Sequence, residues 1–236
     1  MQAIQTIFFL AILFIVNAKL KYTNLNTKQL KFKNCINDDK YPIVLGIGPP
    51  GTGKTLIATY EAINALESKK YDKIIITRPA VTVDEELGFL KGDLNEKMQP
   101  YIQPIFDYLL DYYSKEQLNT LIINNKLEIS PIAYLRGRTF KNSFVIADEV
   151  QNCTPNQFKM LLTRIGLNSK LVAIGDLGQS DIEKLNGLQD FINKLTLTYK
   201  DINSFDIFED GFGLVFFDNS GIKRHKIIEH IMNIYK

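Results

Sequence analysis

Cysteine and histidine are scarce, with only two of each in 236 residues. Two thiols, Cys35 and Cys153, cannot build a disulfide framework, so the compartment inferred is reducing and Cys153 reads as a buried free thiol. Neither residue type stands at ligand spacing, which excludes a Cys/His metal cluster. An excess of one charge is also missing, because 28 Lys+Arg against 26 Asp+Glu leaves +2. A face for nucleic acid would have to come from clustering rather than total charge. No apolar run reaches the roughly 20 residues that span a bilayer, and no internal repeat or low-complexity tract interrupts the chain. What is present, 45% hydrophobic residues, suffices for the core of one α/β domain.

The N-terminus departs from this pattern. Ile4 to Val16 is apolar apart from Gln5 and Thr6, and Asn17-Ala18 follows at a plausible cleavage position. The run lacks a basic n-region, which argues against ordinary secretion. Residues 1–18 read as a signal or targeting segment, an accessory helix and a misplaced start codon being the other readings. Lys19, Lys21, Lys28, Lys31 and Lys33 then precede the first acidic residue, Asp38, as an organelle-targeting stretch or a solvated basic face would. The expected location is cytoplasmic, with a plastid-type organelle, after removal of the segment, as the alternative. No stable membrane span is expected. Residues 19–236 form the remaining domain.

The most specific signal is Gly48-Pro49-Pro50-Gly51-Thr52-Gly53-Lys54-Thr55, which fits the G-x-x-x-x-G-K-[ST] phosphate-binding loop and follows the apolar run Ile43–Ile47. Three glycines let the backbone wrap the β-phosphate, and a helix from about Thr55 adds the positive end of its dipole. Lys54 is placed to reach the β- and γ-phosphates, and Thr55 offers a hydroxyl to Mg2+. A second apolar run, Ser143–Ala147, ends in Asp148-Glu149, a Walker B arrangement. Asp148 would hold the magnesium ion, while Glu149 can take a proton from the attacking water. A third run, Leu171–Ile174, leads into Gly175-Asp176-Leu177-Gly178-Gln179, where Asp176 and Gln179 can stand near the γ-phosphate. Lys73–Thr77 is another strand, whose tip delivers Arg78 to the same edge.

Between Thr154 and Ile165 the signals are helical. Thr154 serves as N-cap, Pro155 sits in the first turn, Gln157 completes a capping box, and Phe158, Leu161, Leu162 and Ile165 share one face. A last helix is expected from the spacing of Ile227, Ile228, Ile231 and Ile234. The Pro- and charge-containing stretch Thr82 to Gln103 reads as an excursion over the ATP-bearing edge.

Further segments carry a resemblance: Arg78-Pro79-Ala80-Val81, Leu87 through Leu94, Glu96-Lys97, Pro100-Tyr101, Ala133 through Phe140, Asp148 through Asn152, Leu162-Thr163-Arg164 and the closing Arg224-His225. In this order they resemble the motif set of the PhoH family of P-loop ATPases. The resemblance implies an α/β, RecA-like P-loop NTPase core, mostly parallel in its sheet with helices on both faces. It is related to that of superfamily-one helicases and is tied to ATP binding, phosphate starvation and RNA-related work. Two positions depart from the pattern: Pro50 stands where relatives often have Ala, and Gly178 stands where they commonly have Thr. No nuclease activity is expected. By the same resemblance Gln29 is a candidate reader of adenine N6 and N7, with a surface glutamine on a helix as the plainer reading. Arg136, Arg138, Arg164 and Arg224 are candidates for a charge-stabilising finger, Arg224 foremost.

These signals together predict an ATPase using ATP and Mg2+, with Glu149, Lys54, Gln179 and Arg224 in catalytic roles and RNA as a partner. A nucleotide-dependent switch with negligible turnover is the alternative. A helicase of this class needs two lobes, and the chain has length for one, so a homo-oligomer is expected. A P-loop kinase is disfavoured because Glu149 suits water activation.

Overall fold

The computed structural model describes residues 24–79, 102–181, 185–198 and 211–218. The segment 1–18, nearly all of the 82–103 stretch, Arg224 and the isoleucines Ile227, Ile228, Ile231 and Ile234 lie outside the described residues.

Continuous apolar runs make strands buried on both faces, which is what an all-parallel sheet covered by helices requires. Six strands, β1 (Ile43–Ile47), β2 (Lys73–Arg78), β3 (Leu127–Pro131), β4 (Ser143–Ala147), β5 (Lys170–Gly175) and β6 (Phe212–Phe216), form one sheet in the order β3-β2-β4-β5-β1-β6. Every pairing is parallel. The register sets Ile47 beside Gly175 and Phe216, and Thr77 beside Ala147. The C-terminal tips of β1, β2, β4 and β5 therefore share one edge, where ligands of open α/β sheets bind.

Alternation along each strand divides the core in two. On β1, Val44 faces one layer, and Ile43, Leu45 and Ile47 face the other. The first layer is covered by α1 (Thr27–Asn37), α2 (Lys54–Glu67), α3 (Gln103–Leu110) and α4 (Lys115–Ile123). The second is covered by α5 (Pro155–Leu162), α6 (Gly187–Thr198) and a short 3-10 turn at Ile132–Leu135. The fold is thus the α/β, RecA-like arrangement expected, with helices on both faces of a parallel sheet. Among the described residues no helix is long and apolar enough to cross a membrane.

One contact fixes where α1 stands. Phe32 is fully buried and meets Phe217 edge-on at 5.4 Å. A Cβ on Gly46 of β1 would lie 2.7 Å from Phe32 Cζ, so only glycine admits the ring this close to the strand. Phe32→Ala is expected to lower stability by about 3–5 kcal/mol, the usual cost of an emptied aromatic site. Urea unfolding measures it, and a loss below about 1 kcal/mol would show that Phe32 does not anchor α1.

The capping of α5 agrees with the sequence: Thr154 Oγ1 accepts from the Gln157 amide at 3.3 Å, and Gln157 Oε1 accepts from the Thr154 amide at 2.9 Å. Its length does not. The helix ends at Leu162, so Ile165 leaves the helical face that Phe158, Leu161 and Leu162 keep. The chain turns there because the Phe140 amide donates to Arg164 O at 2.8 Å and Phe140 bridges Ile165 in parallel. Cys35 and Cys153 are both buried free thiols, and burial pushes the Cys153 thiol up to about 12, which leaves it inert.

Candidate functional site

The site begins where β1 runs out. The Gly48 amide donates to Gly175 O at 3.0 Å, tying the 48–55 loop to the tip of β5. Gly51 and Gly53 have φ of 80° and 86°, a region in which a side chain is strained, and Gly53 then starts α2 without any side-chain cap. A helix start of this kind turns its first amides and the positive end of its dipole toward the loop, as an anion-binding site requires. The Thr52 hydroxyl donates to Pro49 O at 3.0 Å, holding the loop closed on itself. The Lys54 ammonium donates to Gly48 O and Pro49 O at 2.7 Å each and lies 5.8 Å from the centre of the Phe217 ring.

Gln29 is not a surface residue. It is 4% exposed, at the third position of α1, where the capping box with Asn26 fixes it. Its Nε2 donates to Thr52 O at 2.9 Å, and its Oε1 accepts from the Asn26 amide at 3.0 Å. One donor hydrogen and one acceptor lone pair of the amide are therefore committed to bracing α1 on the loop, leaving one of each.

A cleft of about 400 Å³ opens at this edge. Leu25, Gln29, Pro104 and Tyr108 line part of it, and Lys54, Thr55, Asp148, Glu149, Asp176 and Gln179 line another part. Thr55 Oγ1 donates to Asp148 Oδ1 at 3.4 Å. Asp148 is 5% exposed, and its carboxyl is pushed up to about 6, first by loss of solvent and then by the neighbouring Glu149, with Arg78 and Lys54 opposing. A hydroxyl and a buried, destabilised carboxylate form a hard-oxygen pair that suits Mg2+, an ion commonly held by only one or two protein groups. The sign of the linkage follows from the raised value. Between about pH 4 and 6 the folded chain keeps a proton that the unfolded chain releases, so the charge at Asp148 penalises the fold above about pH 6. Asp148→Asn should therefore raise the melting temperature at pH 7, and the gain should vanish below pH 4. Thermal melts from pH 4 to 8 check this, and an unchanged melting temperature at pH 7 would mean that the buried charge carries no penalty.

Glu149 adopts a left-handed backbone, φ 54° and ψ 38°, which is costly for a side chain with a Cβ and clusters at functional sites. Arg78 Nη2 lies 3.8 Å from Glu149 Oε1. Asp176 turns its own loop, with Oδ1 accepting from the Gly178 amide at 2.9 Å and its carbonyl from the Gln179 amide at 3.3 Å. Of the arginines singled out, Arg138 is paired with Glu128, which also holds Lys73, and Arg164 Nη1 donates to Arg138 O at 3.4 Å. Arg136 is exposed, and none of the three lines the cleft.

The sequence reading missed Leu25, Pro104 and Tyr108 in the cleft, and Phe217 near the lysine. Only the aromatic-rich run at the end of β6 could have pointed to Phe217.

A family model described as PhoH-like protein matches residues 21–236. The chain belongs to the PhoH family. It is similar to a PhoH-like protein of Synechocystis, 39% identical over 84% of this chain and 57% of that one. It is also similar to a PhoH-like protein of Bacillus subtilis, 42% identical over 82% of this chain and 58% of that one. It thus spans a little over half the length of these PhoH-like relatives. A solved Sulfolobus solfataricus SWI2/SNF2 ATPase core in complex with dsDNA overlaps 65% of this chain and 32% of that one, at 14% identity and a TM-score of 0.39. The PhoH assignment does not lean on that overlap.

Proposed function

We propose that this PhoH-family chain binds ATP at the sheet edge and hydrolyses it with Mg2+, and that the cycle serves RNA binding or remodelling. The observation that supports hydrolysis is the convergence of Lys54, Thr55, Asp148, Glu149, Asp176 and Gln179 on one cleft from three separate segments. The loop amides and Lys54 bind the β- and γ-phosphates; Thr55 and Asp148 hold the metal. When bound, Mg2+ supplies positive charge against the phosphate oxygens. Glu149 accepts a proton from the attacking water as its oxygen bonds to the γ-phosphorus, and ADP leaves with the bridging oxygen. Gln179 stands where the γ-phosphate leaves, and Gln29 reads the base with its remaining donor and acceptor.

The RNA part rests on family resemblance and one surface. Tyr134, 58% exposed, and the exposed Arg136 follow β3 at the same sheet edge, and an aromatic ring beside a cation is what stacks an unpaired base. Measuring phosphate release with and without RNA, with and without a magnesium chelator, tests the proposal. Turnover that needs the metal and rises with RNA is expected; nucleotide binding without turnover would favour a switch. Arg224 is proposed to act across a subunit boundary of a homo-oligomer. Mixing inactive Arg224→Ala and Glu149→Gln proteins should then restore some activity, and co-assembled mixtures that stay inactive would remove that role.

A further inference from the structure

Immediately after Glu149 the chain makes a 3-10 turn, Val150–Asn152, and Gln151 within it is 1% exposed. Its side-chain amide is used at both ends. Nε2 donates to Glu149 Oε2 at 2.5 Å, and Oε1 accepts from the Asp176 amide at 3.1 Å. Only one orientation of the amide satisfies both partners, because a carboxylate can only accept and a backbone N–H can only donate. The two segments are joined twice more. The Ser180 hydroxyl donates to Gln151 O at 3.1 Å, while Asn152 and Asp181 exchange two bonds, Nδ2 to Oδ2 at 2.8 Å and the Asp181 amide to Asn152 Oδ1 at 3.0 Å. Gly175 makes room for this, since a Cβ there would lie 3.0 Å from Gln151 Oε1 and 2.7 Å from Leu188 Cδ2.

Glu149 is thus gripped on both carboxylate oxygens, with Arg78 near one and Gln151 on the other. The grip has something to oppose, because the left-handed backbone at Glu149 is an unfavourable conformation for glutamate and persists only where its surroundings hold it. We infer that Gln151 is a positioning residue that orients the Glu149 carboxylate and couples it to the 176–181 loop, so that a shift at Asp176 and Gln179 is transmitted to the group that activates water. The inference rests on the hydrolytic reading above. Gln151 itself touches no reacting atom in this scheme; it acts through Glu149 and through the loop.

Three variants separate its two arms from a general structural role. Gln151→Leu removes both bonds and should lower kcat on the order of tenfold to a hundredfold, the usual effect of misplacing a catalytic group, while KM and the affinity for a fluorescent ATP analogue stay within about threefold. Placed on Glu149→Gln, the same substitution should lower single-turnover hydrolysis by no more than about twofold, since residues acting as a unit are non-additive. Gln151→Glu keeps the acceptor for the Asp176 amide but cannot donate to Glu149. It should lose kcat while amide exchange at 176–181 stays slow, whereas Gln151→Leu should speed that exchange on the order of tenfold or more. If Gln151→Leu does not fold by circular dichroism, Gln151→Glu still decides. Wild-type rates in Gln151→Glu, or equal losses from Gln151→Leu with and without Glu149, overturn the inference while leaving hydrolysis intact. A wild-type protein that binds ATP without turning it over overturns the hydrolytic reading and this inference with it.

Discussion

Glu149→Gln is expected to bind ATP as the parent does and to hydrolyse it at least about a hundredfold more slowly, since general-base catalysis contributes about 10²–10⁴. The substitution is nearly isosteric and keeps the Cβ, so the left-handed backbone at this position costs the same as before. An amide oxygen still accepts the bond from Gln151 Nε2, and Lys54, Thr55 and the loop amides are untouched. What disappears is the site proposed to take water's proton, together with the charge facing Arg78 at 3.8 Å. Binding and chemistry should therefore separate. Titration with a fluorescent ATP analogue reads the first, and single-turnover phosphate release reads the second. Parental turnover in this variant would move water activation to another residue and strengthen the switch model.

Four of the six strands were legible because each is built on an apolar run that leads into a motif: β1 before Gly48, β2 up to Arg78, β4 before Asp148 and β5 before Asp176. The edge strands were not. In β3, Leu127–Pro131 mixes Glu128 and Ser130 into five residues, and β6 is as short and carries no motif. Strand order is invisible to periodicity, so the adjacency of β1 to both β5 and β6 had to come from the structure. The end of α5 was misread for a related reason. Helical spacing continues to Ile165, but the pairing of Phe140 with Arg164 and Ile165 is a tertiary contact that overrides local preference.

The site shows the same division. The residues that motifs carry, from Lys54 to Gln179, were placed by their spacing at strand tips. Tyr108 was not, and Gln151 entered only as part of the Asp148–Asn152 segment without a role, because the relevance of both depends on what packs beside them. Tyr108 reaches the cleft from α3, which packs on α2, and Gln151 bonds both Glu149 and Asp176 from the turn that follows the left-handed Glu149. Gln29 falls between these cases. A motif-level resemblance singled it out, but its bond to Thr52 O gives it a bracing role that no spacing announces.

Lys54→Ala is expected to weaken ATP binding on the order of a hundredfold or more. Truncating one partner of a buried, hydrogen-bonded charge pair costs about 2–5 kcal/mol, and each 1.4 kcal/mol is a factor of ten. Lys54 is 7% exposed, so its ammonium would meet the phosphates with little solvent to dilute the attraction. It is also pre-positioned, since its bonds to Gly48 O and Pro49 O keep Nζ at the mouth of the loop rather than free to wander. The fold should tolerate the loss. The loop is closed independently by Thr52 on Pro49 O and by the Gly48 amide on Gly175 O, and the glycine conformations at 51 and 53 do not depend on the lysine. Thermal melts of the nucleotide-free protein should accordingly move little, while titration with the fluorescent analogue should show almost no saturable binding. A melt that collapses would make the lysine a structural clasp of the loop, and parental affinity with parental turnover would remove the 48–55 loop from the site altogether.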